Sequence, residues 1–142
     1  MPHDLPILHK CLHFTANSLS RAIGKMAEEE FRVTGVSPSH AFLMMLVNAK
    51  PGITQTELAD ELNLAPSTVT RFIDKLAHNG YLERRTAGKS SKIYPTDKGC
   101  QLEETIYAAW HRLFERYSAI LGEDHSRELT QLIDQASQKL EG

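Results

Sequence analysis

Apolar residues recur at three- and four-residue steps through the first third of the chain: Leu8, Leu12, Leu19, Ile23 and Met26, with Ala16, Ala27 and Phe31 filling in. That spacing predicts one long amphipathic helix over residues 5–32. Ser37-Pro38 then offers a hydroxyl N-cap followed by a proline, which needs no hydrogen-bond partner at a first helical position. It opens a second helix through Phe42, Leu43, Leu46 and Val47 that Pro51-Gly52 ends. Thr54-Gln55-Thr56-Glu57 has the capping-box pattern, in which Thr and Glu side chains satisfy each other's orphan backbone donors. A short helix to Leu62 follows. Asn63-Leu64-Ala65 is a tight turn, and Pro66 starts a fourth helix whose buried face is Val69, Phe72, Ile73, Leu76 and Ala77. Asn79-Gly80 gives it a left-handed C-cap.

Beyond Gly80 the period changes from 3.6 to strand-like. Tyr81 to Thr86 and Ser91 to Tyr94 flank Ala87-Gly88-Lys89-Ser90, which reads as a two-stranded hairpin. Thr96 caps a long helix in which Leu102, Ile106, Trp110 (or Ala109), Leu113, Tyr117 and Ile120 are spaced like a heptad seam. After Gly122, Leu129, Leu132, Ile133, Ala136 and Leu140 form a last amphipathic helix. The fold class expected is therefore mainly α with a small β-hairpin wing: a winged helix-turn-helix, residues 38–99, flanked by helices over 5–32 and 97–142. The whole, 1–142, reads as a single domain.

Composition narrows the function classes. With 142 residues, 41% hydrophobic and 24% charged, the chain is an ordinary folded protein. Its longest apolar run, Ala41 to Val47, is far short of the roughly 20 residues that cross a bilayer. Asp4, Pro6 and His9 stand where a signal peptide would be cationic and then cleanly apolar, so a cytoplasmic location is expected. Two cysteines, Cys11 and Cys100, show no paired or metal-ligand spacing and are expected to be free thiols. There is no nucleophile elbow, phosphate-cradling glycine loop or HExxH sequence, so no enzymatic activity and no cofactor is expected.

The formal net charge of −2 argues, taken alone, against a nucleic-acid ligand. Its distribution argues the other way. Residues 66–99 hold seven Lys and Arg against three Asp and Glu, and a local field is what a phosphate backbone meets. The exposed face of the fourth helix carries Ser67, Thr68, Thr70, Arg71, Asp74, Lys75 and His78, side chains able to reach base edges or phosphates in a major groove about 12 Å wide. Asp74 is expected to orient Arg71 or Lys75. Ala65 cannot cap this helix and Pro66 has no N–H, which leaves the amides of Ser67 and Thr68 for a phosphate oxygen. The wing adds Arg84, Arg85, Lys89 and Lys92. Thr54, Gln55 and Thr56, at the start of the third helix, are placed to fix register on phosphates. The bland alternative for all of these is a solvated helix face and charged edge strands.

The run ITQTELADELNLAPSTVTRFIDKLAHNGYLERR…KIYPTDKG resembles the core of the MarR (multiple antibiotic resistance regulator) family of bacterial winged-helix transcription factors, and the similarity extends into the flanking helices. The resemblance implies a homodimer held by the first and last two helices. It also implies binding to double-stranded DNA at a pseudo-palindromic operator, as a repressor released by a small ligand or by oxidation. The family's Asp-x-Arg wing pair is replaced here by Ala87 and Lys89, and Lys89 keeps the cation without arginine's planar fork. Helices bordering the family's usual ligand cleft carry His40 and His111, and Phe14, Met44, Tyr107 and Trp110 are further candidates to line an effector pocket.

Two alternative signals are open. The segment LHFTANSLSRAI resembles the start of the family's peroxide-sensing branch, but His13 stands at the sensing cysteine's place, with Cys11 two residues earlier. Cys11 is the redox candidate; reactivity requires a lowered thiol pKa. His9 and His13 have the i, i+4 spacing of a metal-binding pair, with His3 nearby, but no complete tetrahedral set is evident. A winged helix that binds protein rather than DNA is the remaining alternative.

Overall fold

The computed structural model describes residues 5–142. It consists of a 3₁₀ turn (Leu5–Lys10) and helix α1 (Leu12–Phe31), then α2 (Pro38–Ala49), strand β1 (Ile53–Thr54), α3 (Gln55–Leu62) and α4 (Pro66–His78). Strands β2 (Leu82–Ala87) and β3 (Ser90–Pro95), then α5 (Asp97–Leu121) and α6 (Glu123–Glu141), complete the chain. Contacts divide it into two compact units, residues 31–110 and the remainder.

The unit of residues 31–110 is built on a core of Phe31, Leu43, Met44, Val47, Leu58, Val69, Ile73, Leu76, Ile93 and Ile106, all fully buried. Its caps follow the sequence. Ser37 Oγ accepts from the His40 amide at 3.3 Å and starts α2. At α3 the capping box is complete: Thr54 Oγ1 accepts from the Glu57 amide, and Glu57 Oε1 accepts from the Thr54 amide, both at 3.1 Å. Asn63, at φ 54°, and Gly80, at φ 82°, take the left-handed conformations that end α3 and follow α4.

Glu57 also accepts from Lys50, and this bond, with those from Thr54, holds its carboxyl at about 2, against an ordinary 4.5. A depressed carboxyl pKa contributes stability that is present above the unfolded value and is lost as the group protonates in the fold. Glu57→Gln is therefore expected to lower the melting temperature most near pH 7. The difference from the parent should shrink as pH falls from about 4.5 to about 2, as read by thermal unfolding across that range.

The wing differs from a simple hairpin. β3 pairs antiparallel with β2 on one side and with β1 on the other, giving a three-stranded sheet in the order β1-β3-β2. Ile53 lies opposite Ile93, and Gly52 donates its N–H to the Ile93 carbonyl at 2.8 Å. Two residues between a turn and a helix cap carry no alternation, so periodicity had no means of showing β1. The loop is also tighter than the sequence suggested: Ala87 pairs with Ser90, leaving Gly88-Lys89 as a two-residue turn with Gly88 at φ 63°. β3 runs directly to Thr96, whose hydroxyl accepts from the Gly99 amide at 3.2 Å and caps α5.

In the other unit, residues 5–30 and 111–142, the expected single helix over 5–32 is instead the 3₁₀ turn, α1 and a second 3₁₀ turn, Arg32–Thr34, which Gly35 closes in the neighbouring unit. Pro6 lacks a backbone donor, and the Cys11 amide turns back to the Leu8 carbonyl, a three-residue step that breaks the helical ladder before α1. Arg116 bridges Glu29 at 3.3 Å and Glu30 at 3.2 Å, and Arg127 lies over the Phe114 ring. Apolar positions of α6 are poorly covered: Leu132, Ile133 and Leu140 are all exposed. On α5, of the two residues offered for one seam position, Ala109 is the buried one and Trp110 is exposed.

Candidate nucleic-acid interface

Helix α4 is strongly two-sided. Val69, Ile73 and Leu76 are fully buried, while Ser67, Arg71, Asp74, Lys75 and His78 face solvent. Thr68 and Thr70 lie at the border, half-buried. Their hydroxyls are already oriented. Thr70 donates to the Pro66 carbonyl at 3.0 Å and accepts from the Gln55 side-chain amide, so α3 and α4 are joined by two residues expected to face nucleic acid. Arg71 donates to the Thr68 hydroxyl at 3.2 Å, which lays its guanidinium along the outer face of the helix. A guanidinium bound through one amino group keeps other donors of its fork for base or phosphate acceptors.

The start of α4 corrects one expectation. Ala65 provides no side-chain cap, as the sequence implied, but the Thr68 amide reaches the Ala65 carbonyl at 3.0 Å. Neither amide has a side-chain acceptor, but the Thr68 amide is satisfied by backbone, which leaves that of Ser67 for a phosphate oxygen. Thr54, likewise, has its hydroxyl engaged by Glu57, donating to Oε1 at 3.1 Å. Of the α3 candidates, Thr56 is the exposed one.

The wing cations fall into two groups. Arg84 pairs with Asp74 at 2.6 Å and reaches the Thr70 carbonyl at 3.4 Å, so it ties β2 to α4. Asp74 thus holds a wing residue rather than Arg71 or Lys75, because β2 packs against α4 and carries Arg84 across to it. Arg85 pairs with Glu83 at 2.7 Å and stacks on Tyr94, its guanidinium carbon 4.1 Å from the ring centroid. Lys89, at the turn, and Lys92 are exposed and have no carboxylate partner among the described residues. They present charge outward, while Arg84 ties β2 to α4 and Arg85 stacks across the wing on Tyr94 of β3.

The other candidates are divided between the two units. Within residues 31–110, His40 packs its ring against Phe72 with centroids 4.2 Å apart, Trp110 meets the edge of Phe42 at 5.8 Å, Tyr107 is exposed and Met44 is fully buried. In the other unit, Phe14 meets the edge of the His9 ring at 5.5 Å and His111 is exposed. An open cleft of about 360 Å³ in the unit of residues 31–110 is lined by Leu46, Ala49, Lys50, Ile53, Glu57, Asp60 and Glu61, none of them an effector candidate. Cys11 and Cys100 are both exposed free thiols. Among the described residues no three His, Cys, Asp or Glu side chains converge on a metal-sized site, and His3 lies outside those residues. No helix among them is long and apolar enough to cross a membrane.

Helix, tight turn, helix and wing define a winged helix-turn-helix, the class of fold that offers one helix to a major groove. Residues 36–91 match the family model described as MarR family. Over 109 residues the chain is 25% identical to the HTH-type transcriptional regulator BilQ of Clostridium symbiosum, covering 75% of this chain and 76% of that one. It superposes on the transcriptional repressor CouR bound to a 23-mer DNA duplex with a TM-score of 0.87, at 19% identity, over 95% of this chain and 98% of that one. CouR bound to p-coumaroyl-CoA gives 0.86 over 94% and 96%. A 36% identity with the riboflavin kinase of Pyrococcus abyssi extends over 55 residues, 39% of this chain and only 26% of that enzyme's length. The MarR family match spans the helix-turn-helix and most of the wing, residues 36–91, and the fold over nearly the whole chain is that of the solved structures of CouR.

Proposed function

We propose that the protein is a homodimeric, cytoplasmic repressor of transcription that binds a pseudo-palindromic operator and is released by a small ligand. The observation that carries this reading is the outer face of α4. Ser67, Arg71 and Lys75 are exposed side by side on a helix whose opposite face is buried, and Lys89 and Lys92, which have no carboxylate partner among the described residues, lie on the wing of the same lobe. Each α4 enters a major groove, the two half-sites lying about one helical turn, roughly 34 Å, apart. Arg71 and the hydroxyls of Ser67 and Thr68 read base edges. The Ser67 amide, Thr56, Lys89 and Lys92 meet phosphates. Gln55 and Thr70 hold α3 against α4 so that both keep one register on the duplex.

Ligand release follows from two-fold geometry: a molecule that stabilises a different separation of the two lobes disfavours simultaneous occupation of both half-sites. The solved complexes of CouR with DNA and with p-coumaroyl-CoA support a repressor of this kind.

Selection of bound duplexes from a random pool, repeated with candidate ligands, yields the operator and the class of signal together. On the selected duplex, Arg71→Ala is expected to weaken binding by about 1–3 kcal/mol and to relax preference at one position per half-site. Equal weakening on every sequence would reassign Arg71 to phosphate. The parent's log affinity should fall linearly with log salt. Absence of any selected sequence and of any salt dependence would overturn the reading.

A further inference from the structure

His40 is the third residue from the Ser37 cap of α2, and its ring is shared between two elements. On one side Nδ1 lies 2.5 Å from Ser37 Oγ, which also accepts from the His40 amide at 3.3 Å. A hydroxyl oxygen that accepts from one amide is best placed to donate its own proton to the ring, so Nδ1 is the acceptor and the neutral imidazole carries its proton on Nε2. On the other side the ring packs on Phe72 at a tilt of 31°. Phe72 belongs to α4, next in sequence to Arg71, on the border between the buried and outward faces.

The charges around this ring have one sign. From α4, Lys75, one helical turn beyond Phe72, faces it. α2 itself, PSHAFLMMLVNA, carries no other ionisable side chain, and no carboxylate among the described residues offsets Lys75. Burial first, and the field of Lys75 second, push the histidine below its usual range. Both act against a cation at this position: protonation reverses the bond, so that Nδ1–H must donate to a Ser37 Oγ already accepting from the His40 amide, and the ring stands, half-buried, beside a like charge.

We propose that His40 is a positioning residue for the recognition helix, whose neutral ring holds α4 in its DNA-binding placement and whose protonation loosens that placement, making operator affinity fall with pH. The inference rests on the reading of α4 as the recognition helix. The sign follows from linkage. A ring whose burial and nearby Lys75 disfavour the cation is protonated more readily once the placement loosens and its value returns toward 6.5, so the tight placement is favoured above that value and weakens as pH falls below it. The effect opposes the ordinary gain of positive charge at low pH, which strengthens binding to phosphates generally.

The test compares the parent with His40→Gln, which keeps a side-chain acceptor and removes the titration. In DNA-free protein, backbone amide resonances of residues 67–75 are followed from pH 8 to 5 together with the His40 ring. They are expected to move with the ring's midpoint, below 6.5, and to lose that component in His40→Gln. Affinity is then measured at each pH on a duplex selected with the parent at pH 7.5. The ratio of variant to parent affinity should rise by about threefold or more between pH 7.5 and 5.5, given that each unit of pKa change allows at most a factor of ten. A constant ratio, or helix resonances indifferent to the ring's titration, overturns the proposal. If the resonances titrate together and no duplex binds at any pH, the positioning role stands and the DNA-binding reading fails.

Discussion

Replacing Leu132 and Ile133 together by glutamate is expected to leave a folded monomer whose affinity for the operator is lower by about a hundredfold or more. Both residues lie on α6, where Leu132 is 56% and Ile133 44% exposed, and Leu140 farther along is 79% exposed. Adjacent and seven-residue spacings put them on one stripe of the helix, and a stripe of large apolar residues left to water is the mark of a surface that a partner covers. Since neither side chain is buried within its own chain, the substitution leaves the core intact, which distinguishes it from a change at Leu113. That residue, on the α5 seam, is only 9% exposed, so a glutamate there would disrupt its own unit and the assembly together. The size of the effect comes from bivalency. Two α4 helices on one dimer bind the second half-site as an intramolecular event, a gain of about 10²–10⁴ that a monomer forfeits. Sedimentation gives the oligomeric state and titration of the selected duplex the affinity. A monomeric variant that binds as tightly as the parent would remove two-fold recognition from the mechanism, and a variant that stays dimeric would place the interface elsewhere.

What the sequence made legible and what it did not divide along a physical line. Caps and turns depend on one or two residues with special chemistry, and Ser37-Pro38, Thr54 with Glu57, Asn63, Gly80 and Thr96 each act where their chemistry indicated. The two faces of α4 were equally plain, because a helix packed on one side sorts its residues at a fixed period. Partner choice between distant elements was not plain. The Asp74–Arg84 pair joins residues ten apart through the angle at which β2 meets α4, and no local pattern encodes that angle. β1 is two residues long and exists only because β3 has an edge to offer. On α5, a heptad pattern could not choose between Ala109 and Trp110, adjacent on the helix; packing chose the smaller. The engagement of Gln55 by Thr70, and of Thr54 by Glu57, shows a related blindness. A hydroxyl or amide in a motif can be read as a contact to nucleic acid when the fold has already spent it on orientation.

The same distinction makes Gly99→Ala the most disruptive small substitution expected in the DNA-binding lobe. Glycine inside a helix is normally a weakness, and alanine in its place stabilises by about 0.5–1 kcal/mol. Gly24, in α1, meets nothing within 4 Å of an added methyl and should follow that rule. Gly99 lies in the first turn of α5, where the chain returns from the wing and passes against the end of α4. A methyl group there would sit 2.0 Å from the carbonyl oxygen of Tyr81 and 2.9 Å from the Met44 terminal methyl. Met44 can rotate away, but Tyr81 cannot, because its carbonyl accepts from the Thr96 amide at 3.1 Å and its amide donates to the Leu76 carbonyl at 2.9 Å. The carbonyl of Gly99 is itself held by the Asn48 side chain at 3.2 Å. With backbone fixed on both sides, relief requires α5 to move off the wing, opening the contact that sets β2 and β3 against α4. Gly99→Ala is expected to lose about 3 kcal/mol of stability, at the upper end for an overpacked site, while Gly24→Ala gains. Denaturant unfolding of the two variants beside the parent reads both signs at once. If Gly99→Ala unfolds at the parent's midpoint, the wing and α5 do not meet as closely as Tyr81 and Gly99 require. A large loss at Gly99 alone would locate the lobe's tightest constraint at the junction that aims the wing, away from the residues proposed to face DNA.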